Sequence, residues 1–266
     1  MKSILDAVTF YASFDDDISG DVGHGTLTPK TRIGPPAEPD HQVHTEGYDP
    51  NVFRIVKDEG VHGGCLEAVD VLENYGRIYF PGLGNLPFRT GGWAGTLSFW
   101  LNTDPNELLK TPFCDPVQIT QKNALDGGIW IDFNDNQPRD MRMGTIPVVR
   151  PGGRRYGNAD PDAPMIWVRQ VDFKEGDWHH LVCAWENFDT GQPDARAALY
   201  IDGQLMGEIA GRELAMEWEL DKTGIYVAVS YIGLLDELAI FNRMLNADEV
   251  CWLRDHPGGL ASLKKK

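Results

Sequence analysis

The chain has 266 residues, 42% hydrophobic and 24% charged, with eight tryptophans and 29 glycines, the make-up of a globular protein rich in tight turns. Its net charge of −16, from 40 acidic and 24 basic residues, argues against a nucleic-acid ligand, which is held by neutralising phosphates, and against an anionic membrane surface. No apolar run reaches the roughly 18 residues a membrane helix needs, and the opening MKSILDAVTFYASF has no small-residue cleavage site of a secretory signal.

In chain order, the first predicted element is a strand with Val8, Phe10, Ala12 and Phe14 on one face, running into the acidic segment FDDDISGDVGHG (14–25). Asp15, Asp17, Ser19 and Gly20 fall at positions 1, 3, 5 and 6 of an EF-hand-type loop, where alternate oxygens face one centre. Thr26 stands where that loop requires a bidentate glutamate, and no helical pattern flanks it, which excludes an EF-hand. The segment 34–50, rich in proline and polar residues, reads as a long loop. Period-two patterns then predict strands at 77–80, at 95–101 with Leu97, Phe99 and Leu101 together, and at 128–133 with Ile129, Ile131 and Phe133 together. Further strands are expected at 165–168, 178–185, 197–201, 225–229 and 234–241. Asn246 and Glu249, ahead of Val250, Trp252 and Leu253, fit a capping box and predict one short helix. Residues 257–266 read as a tail. With no crossover helix in view, the expectation is an all-β fold, an antiparallel β-sandwich with one short C-terminal helical turn.

Cys65, Cys114, Cys183 and Cys251 lie too far apart for a zinc signature and leave two disulfides or four separate thiols open. Tests for catalysis assign no residue. Glu219-Leu220-Asp221 begins the Glu-x-Asp-x-x-Glu pattern of sandwich glucanases, but the third carboxylate is replaced by Gly224, and a retaining glycosidase needs paired carboxylates. Asp132 and Asp135 do not share a strand face, and adjacent His179 and His180 point to opposite faces. A lyase would need a tyrosine or histidine base beside a cation, which sequence separation does not restrict.

One stretch runs against the acidic whole. Between Arg139 and Arg155 there are five arginines and one acid, Asp140. Arg150, Arg154 and Arg155 lie in a glycine-rich loop with Tyr156, and Trp167 follows on the next strand. Arginine forks match carboxylates and sulfates, so these five residues form a candidate site for an acidic glycan. The alternative is that the arginines pair with the chain's own carboxylates.

Four ordered segments, GTLSFWLNTDP (95–105), GDWHHLVCAWE (176–186), LYIDGQLMGE (199–208) and IGLLDELAIFNRMLNADEV (232–250), resemble the LamG-like jelly rolls of the concanavalin A-like lectin/glucanase superfamily. The resemblance implies a two-sheet jelly roll over residues 1–256, often extracellular or periplasmic, often non-catalytic and often holding one structural calcium. It places that calcium between the first and last strands, at Asp15 and Asp236, with Asp17 of the acidic segment as a further candidate. A polysaccharide or glycoprotein glycan is the expected partner. A protein-interaction domain, or a polysaccharide lyase or hydrolase, is the alternative.

Overall fold

The structure, a computed structural model, describes residues 3–35 and 41–265. Its strands form two antiparallel sheets. The first runs in the order β15 (Gln204–Arg212), β14 (Ala195–Ile201), β13 (His179–Phe188), β8 (Trp93–Asn102), β17 (Gly233–Phe241), β1 (Val8–Ala12) and β2 (Val22–Gly23), and β5 (Phe53–Val56) joins it through β6 (Cys65–Ala68). The second runs in the order β12 (Met165–Val168), β11 (Met141–Ile146), β10 (Asp126–Phe133), β9 (Cys114–Asn123), β16 (Gly224–Val229), β7 (Arg77–Pro81), β3 (Lys30–Ile33) and β4 (Val43–Glu46). This is the expected two-sheet sandwich.

The predicted faces hold where the pleat is regular. Leu97, Phe99 and Leu101 of β8 and Ile129, Ile131 and Phe133 of β10 all enter the core between the sheets. Val8 departs from its predicted companions. A register shift between Val8 and Phe10 turns it to the opposite side, because a bulge reverses side-chain alternation. Phe10, Ala12 and Phe14 stay in the core. The loop read over 34–50 contains β4, paired to β3 from Lys30–Glu46 to Ile33–Val43, while residues 36–40 of that reading lie outside the described ones.

The outer face of the nine-stranded sheet is covered. Tyr11, Val182, Ala198, Tyr200 and Phe241 pack against Val250 and Leu253 of α1 (Ala247–Asp255) and against Leu260. The helix starts as predicted. The Asn246 side chain accepts from Glu249 N, and the Glu249 carboxylate accepts from Asn246 N. The segment read as a tail docks here, with Leu260 buried and Lys264 reaching Asp15. All four cysteines are free thiols, three of them buried. On the outer face of the eight-stranded sheet the described residues form a small apolar cluster, where Tyr156 and Met165 pack on Trp130 and Ile146. The remainder of that face is lined by polar and aromatic side chains.

Candidate functional site

Alternation along the strands sets the floor of a groove on this second face. Ile225 and Val227 of β16, and Ile78 and Phe80 of β7, enter the core, so Tyr226, Arg77 and Tyr79 point outward. Cross-strand register aligns one row from Trp130 through Gln118, Tyr226 and Tyr79 to Lys30. A parallel row ends in Arg77, Arg32 and His44. Gly224 makes room for the rings: a Cβ there would lie 2.9 Å from both Tyr226 and Tyr79. The groove has a volume of about 1470 Å³, and Lys30, Arg32, His44, Tyr79, Tyr226 and Arg155 are among its lining residues.

Its electrostatics run opposite to those of the whole chain. Arg32 is 2% exposed. Its Nη1 donates to the Tyr226 hydroxyl at 2.6 Å, and its guanidinium lies 4.5 Å from the centre of that ring. Arg77 sits 5.9 Å from the same ring. Burial, then the Arg32 charge, holds Arg77 below the ordinary guanidinium range. Burial, Arg32 and Lys30 push His44 down, and its Nδ1 lies 2.8 Å from the Tyr79 hydroxyl. The rim lysines already hold acids, Lys30 with Glu46 at 2.8 Å, Lys122 with Asp126 at 3.3 Å and Lys222 with Glu219 at 2.7 Å.

The basic stretch is divided by the fold. Arg139 is buried and donates to the carbonyls of Leu109, Thr111 and Asn134. Arg142 is buried in a bidentate pair with Asp132. Its guanidinium also lies 5.2 Å from the Trp130 ring and 4.9 Å from Trp167. Arg150 bridges Glu217 at 2.7 Å and Glu213 at 3.1 Å. Arg154 bridges Asp160 and Asp162 and lies over the Tyr156 ring. Trp167 is held between Arg142 and Arg169. Of the five candidate glycan residues, only Arg155 lines the groove. Sequence reading missed Arg32, Tyr79 and Tyr226, whose signal was the polar or aromatic residue between core positions of short strands.

A second polar cluster lies where the chain ends meet. Strand β17 pairs with β6 from Gly233 to Leu235 and with β1 from Leu238 to Phe241. Asp236 and Glu237 occupy that change of partner, where the register to β8 shifts and Glu237 has a φ of 53°. Asp236 is fully buried and, among the described residues, accepts only from the backbone N–H groups of His62 and Glu237. Burial, with the Glu237 charge beside it, pushes its carboxyl up to about 8. Glu237 accepts from the Tyr11 hydroxyl at 2.8 Å, and burial pushes it up to about 7. Asp15 accepts from Gly64 N at 3.0 Å and from Lys264 Nζ at 2.6 Å. Glycines allow this approach: a Cβ on Gly60 would lie 2.6 Å from Asp236 Oδ2, and one on Gly64 2.7 Å from the Asp15 carbonyl oxygen. Asp17 turns into its own loop, accepting from Ser19 N. Among the described residues, no three His, Cys, Asp or Glu side chains converge as a metal-ligand set.

The family described as the concanavalin A-like lectin/glucanases superfamily matches residues 73–251. Domain 4 of AbnA, a GH43 extracellular arabinanase from Geobacillus stearothermophilus solved with arabinotriose, is similar with a TM-score of 0.52 and 16% identity, over 93% of this chain and 99% of that one. The binding domain of Paraclostridial Mosquitocidal Protein 1 gives 0.54 and 14% over 95% of this chain and 52% of its own. The botulinum neurotoxin serotype D binding domain gives 0.58 and 11%, over 96% and 53%. The chain thus spans about half the length of each toxin domain, and at these identities all three report the fold. A comparison with curated proteins gives no match.

Proposed function

Since the chain belongs to the concanavalin A-like lectin/glucanase superfamily, we propose that it is a non-catalytic carbohydrate-binding module that takes a polysaccharide along the groove of the eight-stranded sheet. The groove carries this reading. It combines two adjacent tyrosine rings, their centroids 5.2 Å apart, with convergent polar groups, the usual composition of a ligand site. Its cations favour acidic members of the class. Tyr79→Ala is expected to weaken retention in polysaccharide affinity gels roughly tenfold, as loss of a central aromatic contact does, and Arg155→Ala to weaken it less. Arg154→Ala, whose guanidinium is already shared between Asp160 and Asp162, is expected to leave retention unchanged. Loss of retention in Arg154→Ala, with Tyr79→Ala behaving as wild type, would move the site to the arginine loop.

The proposal includes a structural calcium ion held by Asp236 and Asp15. A buried carboxylate met only by N–H donors, glycines that bring main-chain oxygens close to it, and a position linking the first strand to the last all support this. Such an ion takes oxygen ligands, and with few side-chain carboxylates here it would rely on main-chain carbonyls as well. It would neutralise Asp236 and stabilise the junction of the chain's ends.

One observation favours a second reading, a polysaccharide lyase. His44 Nδ1 sits 2.8 Å from the Tyr79 hydroxyl, and Arg32 is the cross-strand neighbour of His44. Elimination from a uronate needs a base of this kind beside a cation that neutralises the carboxylate. New unsaturated sugar ends in the presence of the protein would decide for it.

A further inference from the structure

From the state of Arg32 we infer that the groove contains a subsite for one anionic substituent, a uronate carboxylate or a sulfate ester, seated on the Arg32 guanidinium. The inference rests on the reading of the groove as a carbohydrate site and adds the chemistry it selects.

A buried charge is costly unless it is paired or hydrogen-bonded, and the other two buried arginines are held on most of their donors, with Arg139 leaving only its Nε without a partner among the described residues. Arg142 has Asp132, and Arg139 has a set of carbonyls. Arg32 differs. Its single hydrogen bond goes to a neutral phenol, Tyr226, and its Nε and Nη2 have no partner among the described residues. These two nitrogens form one edge of the planar guanidinium, the fork that meets a carboxylate or sulfate with two parallel hydrogen bonds. Among the described residues, no acid stands across the sheet from it. Its register partners are Arg77 on β7 and His44 on β4, and the nearby Glu46 is held by Lys30 at 2.8 Å. Asp115, on β9, interacts with Arg77 and lies beside Asp132. Burial first, and the Arg32 charge second, hold down the basicity of both Arg77 and His44. An anion entering the groove would supply the missing partner, and the surrounding cations would add attraction.

The test compares wild type and Arg32→Met in affinity gels containing polygalacturonate, its carboxyl-reduced neutral counterpart, dextran sulfate or dextran. Wild type is expected to bind an acidic polymer at least about tenfold more tightly than its neutral counterpart, the contribution of a charge-assisted pair. Arg32→Met is expected to lose that preference and melt no lower than wild type, because an unpaired buried charge has been removed. Preference for polygalacturonate assigns a carboxylate, and preference for dextran sulfate a sulfate. Arg32→Lys keeps the charge without the fork, and its expected partial loss serves as the second variant if Arg32→Met does not fold. Equal binding of acidic and neutral polymers by wild type, or an undiminished preference in Arg32→Met, overturns the subsite and leaves the groove as a neutral-sugar site. Binding of none of the polymers overturns the carbohydrate reading and this inference with it.

Discussion

Chelation of calcium is expected to lower the melting temperature by roughly 5–10 °C. Saturation of one site contributes about 2.7 kcal/mol at a hundredfold excess over Kd, and each kcal/mol is worth about 2–4 °C in a chain of this size. The effect should pass through Asp236. Without a cation its carboxylate is buried beside Glu237 with no positive partner, and ionisation is disfavoured. In the proposed calcium-bound state the same oxygens would serve as ligands. Asp236→Asn removes the charge and keeps a carbonyl oxygen for one of the two N–H groups, which meet different oxygens of Asp236, His62 N at Oδ2 and Glu237 N at Oδ1. Its melt should be insensitive to calcium. Identical wild-type melts with calcium and with EDTA would refute the metal at this position.

The second large effect concerns the basic stretch. Arg142→Ala is expected to cost about 3–5 kcal/mol in denaturant unfolding, the penalty for leaving a buried charge without its partner. The stranded group would be Asp132, which is 3% exposed and has the buried Asp115 beside it. Arg154→Ala, breaking an exposed pair, is expected to stay within about 0.5 kcal/mol. The double variant Arg142→Met with Asp132→Leu should recover much of the loss, since replacing both members of a buried pair is often neutral. Equal stabilities of Arg142→Ala and wild type would mean that Arg142 does not hold the floor of the sheet.

These contrasts show what a linear reading can see. The pleat of β8 and β10 was legible because Leu97, Phe99, Leu101 and Ile129, Ile131, Phe133 face the core with no bulge between them. The segment LYIDGQLMGE, one of those that carry the resemblance, folds as the β14–β15 hairpin, whose Asp202 and Gly203 take the positive φ values of 50° and 77° that a two-residue turn of this kind needs. The reciprocal capping of α1 was legible too. The strand at Met141–Ile146 was not. Its Arg142 looks like a surface residue, and only the fold supplies Asp132, ten positions earlier and directly across the ladder.

The candidate site was harder for the same reason. Clustering along the chain drew attention to Arg150, Arg154 and Arg155, yet two of these meet acids that are invisible as partners until the loops are placed. The groove draws Lys30, Arg32, His44, Tyr79 and Tyr226 from four separate strands. No local pattern unites them, and what distinguishes Arg32, the absence of an acid partner among the described residues, is a property of three-dimensional surroundings. The resemblance named Asp15 and Asp236, one near each end of the chain. The fold brings both residues to the partner change of β17, and leaves Asp17 outside it.

Affinity electrophoresis of the wild-type protein through gels of neutral, uronic and sulfated polysaccharides, with calcium and with EDTA, tests carbohydrate binding most directly. The expected result is retardation by a uronic or sulfated polymer, with no unsaturated sugar ends formed in matched solutions. Free migration in every gel would contradict the account and leave the protein-interaction reading of this sandwich in its place.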